Sequence, residues 1–301
     1  MTALPRAPTR PGIPARFIAL LRAGHPGPCL VITAITVMLA VGAGAVREAG
    51  VGTLWLFAAA VLAGQFSIGW SNDYADARLD AAAGRTDKPV ATGALTSRTV
   101  LAAAFAALTL CCGLGLLVGP VTAAWLVPVV GAGWAYNVGL KSTPLSGLAY
   151  VVGFGPLPGL ATSILPGQPV PRPWALAAAA LLGLGAHFVN VLPDLADDRA
   201  AGLRGLPHML STAAGAGTRG ARTIRVVALA LLLGASTLIA LAPGTPARAA
   251  ASTWLAAAGL VASVGLGVVV LVARGRTPFR CALAIAGINA AIFALAAGAL
   301  V

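Results

Sequence analysis

Apolar stretches of roughly 20 residues, the length that crosses a bilayer as a helix, recur along the whole chain, and no soluble core could bury them all. They fall at residues 27–46, 51–71, 99–118, 121–138, 145–166, 174–193, 226–243, 251–272 and 281–300, most with one polar interruption or none. Hydrophobic residues make up 58% of the 301, and charged residues 9%. That balance excludes a soluble globular domain and predicts an all-α polytopic membrane protein of nine transmembrane helices in one bundle.

The basic residues then orient the bundle. Arg6, Arg10, Arg16 and Arg22 precede the first helix, and Arg78, Arg85, Lys88 and Arg98 follow the second. Lys141 follows the fourth helix, Arg199, Arg204, Arg219, Arg222 and Arg225 the sixth, and Arg274, Arg276 and Arg280 the eighth. Only Arg47, Arg172 and Arg248 remain for the opposite side. This bias places the N-terminus and the long loops in the cytoplasm of a cell membrane. It accounts for the net charge of +12 through topology and anionic lipid, with no call for nucleic acid. Residues 1–23 read as a cytoplasmic tail, since they contain several prolines and no short apolar core of a signal peptide. Residues 24–301 read as a single membrane domain. Cys29, Cys111, Cys112 and Cys281 lie within expected helices and form neither a disulfide framework nor a zinc spacing. The preference for arginine over lysine, 18 to 2, suggests a GC-rich, bacterial source.

Against this background the acidic residues stand out. Apart from Glu48, every one lies in two connections, about 72–98 and about 194–225: Asp73, Asp76, Asp80 and Asp87 in the first, Asp194, Asp197 and Asp198 in the second. The clusters begin where helices two and six end, which suggests two four-helix units plus one helix, the arrangement by which many membrane folds oppose paired half-sites. Asn72, Asp76 and Asp80 are spaced i, i+4, i+8, with Asp73 adjacent, and Asn190, Asp194 and Asp198 repeat the spacing. At 3.6 residues per turn each set forms a ladder on one helix face.

Like charges stacked on one face repel, the more so as the local dielectric falls. A cation should therefore sit between them. Hard oxygen ligands suit Mg²⁺, which is typically held by one or two carboxylates together with substrate phosphates. Arg78, Arg85, Lys88, Lys141, Arg199 and Arg204 are placed to meet phosphate oxygens. Taken singly, each aspartate could be a solvated surface group, and each cation a mark of topology. His187, one turn before Asn190, either accepts a proton or is satisfied within the bundle. Tyr136 and Asn137 either anchor the interface or line a cavity, and Trp70 reads as an interface residue.

The run NDYADARLD, Asn72 to Asp80, resembles the N-D-x-x-D-x-x-x-D signature of the UbiA superfamily of intramembrane prenyltransferases, and DLADD, Asp194 to Asp198, resembles its second D-x-x-x-D signature. GRTDKPVATG, Gly84 to Gly93, is similar to the basic segment after the first motif, and YNVGLKSTPLSG, Tyr136 to Gly147, to the Tyr and Lys loop after helix four. The resemblance implies an isoprenyl diphosphate donor, with Mg²⁺ held by Asn72, Asp73, Asp76, Asp80, Asp194 and Asp198. It implies a diphosphate and acceptor region built from Arg22, Arg78, Arg85, Lys88, Tyr136, Lys141, His187 and Asn190. The acceptor implied is commonly an aromatic, quinone-type precursor, though a porphyrin-derived alcohol, a glycerol phosphate or a sugar phosphate also occurs. Two other readings stay open: a membrane terpene cyclase acting on the same diphosphate, and an ion-coupled transporter.

Overall fold

A computed structural model describes residues 13–200, 202–241 and 249–295. Arg6, Arg10 and Arg248 lie outside the described residues. The elements are α1 (Ile13–Ala23), α2 (Pro26–Gly42), α3 (Ala45–Glu48), α4 (Val51–Ala82), α5 (Ser97–Val118) and α6 (Pro120–Val138). A single 3₁₀ turn at Leu140–Ser142 leads into α7 (Ser146–Phe154), α8 (Leu157–Thr162), α9 (Pro173–Val191), α10 (Leu195–Ala200) and α11 (Leu206–Ala213). The chain ends in α12 (Gly217–Ala240), α13 (Ala249–Val272) and α14 (Thr277–Leu295). No strand occurs among the described residues, as an apolar chain in lipid requires, since a helix satisfies its own backbone.

Local chemistry sets several of the boundaries. Proline stands in the first turn of α2, α6 and α9, where its missing N–H costs nothing. Thr96 caps α5, its Oγ1 accepting the Thr99 N–H at 3.1 Å, as an N-cap threonine does.

Six helices among the described residues are long and apolar enough to cross a membrane: α4, α5, α6, α9, α12 and the Trp254–Val272 part of α13. A seventh crossing appears if α1 and α2, bent by 60° against each other, form one span. This is an integral membrane protein that crosses several times. Two of the expected stretches are divided. Residues 145–166 break between α7 and α8 at Gly155-Pro156, and residues 27–46 close in the short α3. The last, 281–300, is described as far as Leu295.

Three boundaries differ from the sequence reading. Part of the supposed tail is helical, because Ile13–Ala23 carries apolar and basic residues at helical spacing. The connection after the second stretch starts later, since α4 runs on without interruption to Ala82. The connection 194–225 contains α10, α11 and the start of α12.

The core is made by small and branched side chains at helix crossings, with Phe57, Phe188, Leu160, Ile224, Leu232 and Ile285 fully buried. The outer surface stays apolar, as at Leu117 and Trp254, both over 70% exposed, which suits contact with lipid. Around the bundle α2 packs on α4, α4 on α6, α6 on α7, α7 on α9, and α9 on α14, which returns to α2. This closed ring gathers the ends of α4, α6 and α9 around one mouth.

Candidate active site

The first acidic cluster rides on the last three turns of α4, beyond the apolar part of the helix. Gly84, at φ 65°, ends it: its N–H donates to Ala81 O (3.2 Å) and the Arg85 N–H donates to Asp80 O (3.0 Å). This pair of bonds is a Schellman closure, which needs a left-handed residue and so favours glycine. The closure turns the chain back along α4, and Lys88 returns to the helix it has just left.

That return splits the cluster in two. Lys88 Nζ donates to Asp73 Oδ1 at 2.6 Å and lies 3.9 Å from Asp80 Oδ2. Asp73 and Asp80 are seven residues apart, about 20° around the helix, so one ammonium serves both. His25 Nε2 lies 3.1 Å from both Asp73 Oδ1 and Lys88 Nζ. A single ring nitrogen donates to the carboxylate or accepts from the ammonium, not both at once. His25 holds a left-handed backbone, φ 53° and ψ 59°, at the corner between α1 and α2. Asp73 is 1% exposed, and its Oδ2 is buried without a hydrogen-bond partner.

The neighbouring face carries Asn72 and Asp76. The Asn72 NH₂ donates to Asp76 Oδ2 (3.1 Å) and to Asn137 Oδ1 (3.2 Å). Asn137 is itself fixed, donating to Ile68 O (2.9 Å) and Ser71 Oγ (2.8 Å). Lys141, from the 3₁₀ turn, donates to Asp76 Oδ1. The expected ladder of Asn72, Asp76 and Asp80 with Asp73 beside it is therefore two stripes. Asn72 and Asp76 meet the end of α6, while Asp73 and Asp80 meet the returning loop.

The second ladder departs further from expectation. Pro193 has no N–H to continue α9, which stops at Val191. The chain passes through a tight turn, where Asp194 N–H donates to Val191 O (3.2 Å), and restarts as α10 with Asp198 N–H on Asp194 O (2.8 Å). Asn190 therefore does not share a helix with the aspartates. Its NH₂ donates to the Tyr150 hydroxyl at 3.2 Å. Asp194 and Asp197 are exposed. Asp198 Oδ2 lies 3.1 Å from Nε2 of His208, a ring only 4% exposed.

His187 is buried within the bundle. Its Nε2 lies 3.0 Å from Ser146 Oγ, which also accepts the Leu206 N–H at 2.8 Å. Its ring stacks on Tyr150 with centroids 4.5 Å apart. Tyr136 meets Tyr150 and His187 edge-on at 5.3 and 5.8 Å, and lies within reach of the charges of both Asp76 and Asp198.

The two halves meet through backbone. Gly205, just past the second motif, packs on the Lys141 carbonyl so closely that a Cβ would fall 2.6 Å from the oxygen. Ser146 Oγ and His208 Nδ1 are each 3.1 Å from the same point. The segment that carries Lys141 to Asp76 thus also supports the segment that carries His208 to Asp198.

Other expected residues are placed elsewhere. Arg85 makes a bidentate pair with Asp87 at 2.8 and 2.9 Å, which holds the Asp87 carboxyl well below the usual carboxylate range and raises the guanidinium in turn. Arg78 and Arg22 are exposed. Arg199 donates to Ser211 Oγ. Trp70 ties α1 to α4 by donating to Leu20 O at 2.8 Å. His25, Ser146, Tyr150 and His208 were not singled out by spacing. Asn137 could have been, because Asn137 to Lys141 repeats the four-residue step of Asn72 to Asp76.

No group of three or more His, Cys, Asp or Glu among the described residues could by itself hold a metal. What the mouth offers is an amide and two partly open carboxylates, Asp76 at 20% and Asp80 at 14% side-chain exposure, with Asp198 across from them at 29%. Such a set fits Mg²⁺, which keeps several waters and completes its shell with phosphate oxygens.

Residues 29–297 match the sequence profile of the UbiA prenyltransferase family. The digeranylgeranylglyceryl phosphate synthase of Methanopyrus kandleri is 31% identical over 193 residues, 63% of this chain and 68% of the relative. Two solved structures share the fold. A UbiA homolog from Archaeoglobus fulgidus, bound to GPP and Mg²⁺, has a TM-score of 0.66 at 14% identity, covering 93% of this chain and 98% of its own. A UbiA homolog from Aeropyrum pernix K1 has a TM-score of 0.65 at 21% identity, covering 87% and 96%. A helical membrane bundle, two aspartate motifs joined at one mouth, and a matching profile over nearly the whole chain agree: this protein is a member of the UbiA prenyltransferase family and a prenyltransferase.

Proposed function

We propose that the chain transfers a prenyl group from an isoprenyl diphosphate to a small acceptor at the cytoplasmic mouth of the bundle, with Mg²⁺ as cofactor. One observation carries the reading. Aspartate motifs from separate halves of the chain share one mouth, linked through the Lys141 segment and flanked by two lysines. The Archaeoglobus neighbour with GPP and Mg²⁺ supports the donor and the metal.

In this reading Asn72, Asp76 and Asp80 on one side, and Asp194 and Asp198 on the other, hold the metal. When bound, Mg²⁺ supplies charge neutralisation for the departing diphosphate. Both Asn72 bonds use its NH₂, which leaves its carbonyl oxygen for a ligand. Lys141 and Lys88 are fixed cations within reach of the diphosphate, and their ammonium groups oppose the negative charge that grows as the C–O bond breaks. Asp73, buried against Lys88 and His25, aims that lysine. The apolar interior below the mouth receives the prenyl chain and keeps water from the allylic cation. Arg85 acts by bracing the loop with Asp87, while Arg78 and Arg22 add long-range attraction at the rim.

The chain crosses nine times in this reading, with α7 and α8 counted as one pass and α14 as the last. The N-terminus lies in the cytoplasm, as the basic residues indicate. The acceptor is a hydroxybenzoate-like aromatic or, following the name of the Methanopyrus relative, a glyceryl phosphate. Purified protein given geranylgeranyl diphosphate, Mg²⁺ and each acceptor in turn should release diphosphate and prenylate one of them. A cyclic hydrocarbon formed without acceptor would replace transfer by cyclisation. Absence of diphosphate release in every mixture would remove the donor.

A further inference from the structure

Below the mouth runs a line of aromatic rings. Tyr136 lies beside Asn137 at the end of α6, its ring meets Tyr150 at 5.3 Å, and Tyr150 stacks on Phe154 at 6.0 Å. Tyr150 and Phe154 are one turn apart on α7, which leads from the Lys141 segment into the bundle. Each ring therefore lies farther from the charged mouth than the one before.

At Phe154 the pass breaks. Gly155-Pro156 separates α7 from α8, and at the break lies a cavity of about 30 Å³ lined by Phe154, Leu157, Ile35, Leu182, Ala286 and Ala290. In a bilayer an interrupted helix is tolerated where it is enclosed by protein or lines a cavity, and here the two coincide. Phe154 is the member of the aromatic line that also walls this cavity. Its position is fixed by Gly183 on α9, where a Cβ would fall 2.6 Å from the Phe154 Cβ.

We infer that Phe154 sets the length of prenyl chain this enzyme accepts, with the cavity at the α7–α8 break receiving the end of the chain; this rests on the isoprenyl diphosphate reading above. The cavity holds little more than terminal methyl groups. A phenyl ring has about the bulk of one isoprene unit, and its loss leaves space that the surroundings only partly fill. Removing it enlarges the cavity on the side of the aromatic line, while a larger residue at Ala290, which also lines the cavity, fills the space.

The test is thermal stabilisation of the purified full-length protein in detergent with Mg²⁺ and each of dimethylallyl, geranyl, farnesyl and geranylgeranyl diphosphate, since binding to the folded state raises the melting temperature. The donor that stabilises most should move one isoprene unit longer in Phe154→Ala and Phe154→Leu, and one unit shorter in Ala290→Leu. Stabilisation by dimethylallyl diphosphate should stay as in wild type in all three. The same preferred length in wild type, Phe154→Leu and Ala290→Leu would overturn the assignment. Failure of wild type to respond to any donor would instead remove the donor reading, and the assignment with it.

Discussion

Asp73 and Asp76 are three residues apart on one helix, yet their surroundings demand opposite outcomes on mutation. Asp73 is 1% exposed and receives Lys88 at 2.6 Å and His25 at 3.1 Å. Asp73→Ala removes the nearer of two carboxylates from a mostly buried ammonium and leaves Asp80 at 3.9 Å; breaking a buried pair costs up to about 3–5 kcal/mol. For a chain of this size that corresponds to a fall in melting temperature of roughly 10 °C. Asp76 is more open, at 20% side-chain exposure, although its partner Lys141 is as buried as Lys88. Asp76→Ala removes one ion pair and one amide bond, worth about 1–3 kcal/mol together, a loss of a few degrees. Its loss of turnover should be far larger, about a thousandfold or more, if the carboxylate holds the Mg²⁺ that neutralises the departing diphosphate. Asp73→Asn, which keeps an oxygen but no charge for Lys88, should recover only the hydrogen-bond part of the stability lost in Asp73→Ala, about 1 kcal/mol. Melting curves in detergent and diphosphate release with Mg²⁺ measure both quantities on the same preparation. The reasoning fails if Asp73→Ala melts like wild type, or if Asp76→Ala keeps near-normal turnover.

Lys141→Met should weaken donor binding at least tenfold, about 1.4 kcal/mol, while the protein stays folded, as read by donor titration of the melting temperature. Asp194→Ala should abolish diphosphate release, whereas Asp197→Ala, an exposed neighbour in α10, should leave it within about twofold. Gly205→Val should impair both halves of the site together, because its Cβ would press on the Lys141 carbonyl at 2.6 Å; wild-type activity in that variant would show that the two segments do not depend on each other. Gly84→Ala should cost about 1 kcal/mol for a left-handed residue with a side chain, seen as a lower melting temperature and a lower affinity for donor through Lys88.

The membrane class and the two acidic regions were legible because they follow from composition and spacing, and the family signatures because they resemble those of a known family. The interior of the site was less so. The first ladder could be drawn from the 3.6-residue repeat, but its division into two stripes depends on where the chain returns after Gly84, and that return is a turn geometry no periodicity encodes. The second ladder failed at Pro193, whose missing N–H ends α9 inside the motif. His25 and His208 reach their aspartates across 48 and 10 residues, so nothing in local spacing marks them. Similarly, the break at Gly155-Pro156 lies within an apolar stretch whose hydropathy gives no sign of interruption.

The closure at Gly84 also orders events in time. Lys88 meets Asp73 across 15 residues, a loop short enough to close while the chain is still being made, whereas Lys141 meets Asp76 across 65 and Gly205 must wait for the whole of α9. Local contacts form early because little chain entropy is lost in closing them. During synthesis, then, the Asp73–Asp80 stripe gains its lysine almost as soon as it leaves the ribosome, Asp76 gains its own only when α6 has been laid down, and the mouth becomes complete last, after most of the chain is already in the membrane. A nascent chain stalled before Gly205 would carry a charged, half-built site against the bilayer, and its early lysine clamp is what keeps that charge compensated until the second half arrives.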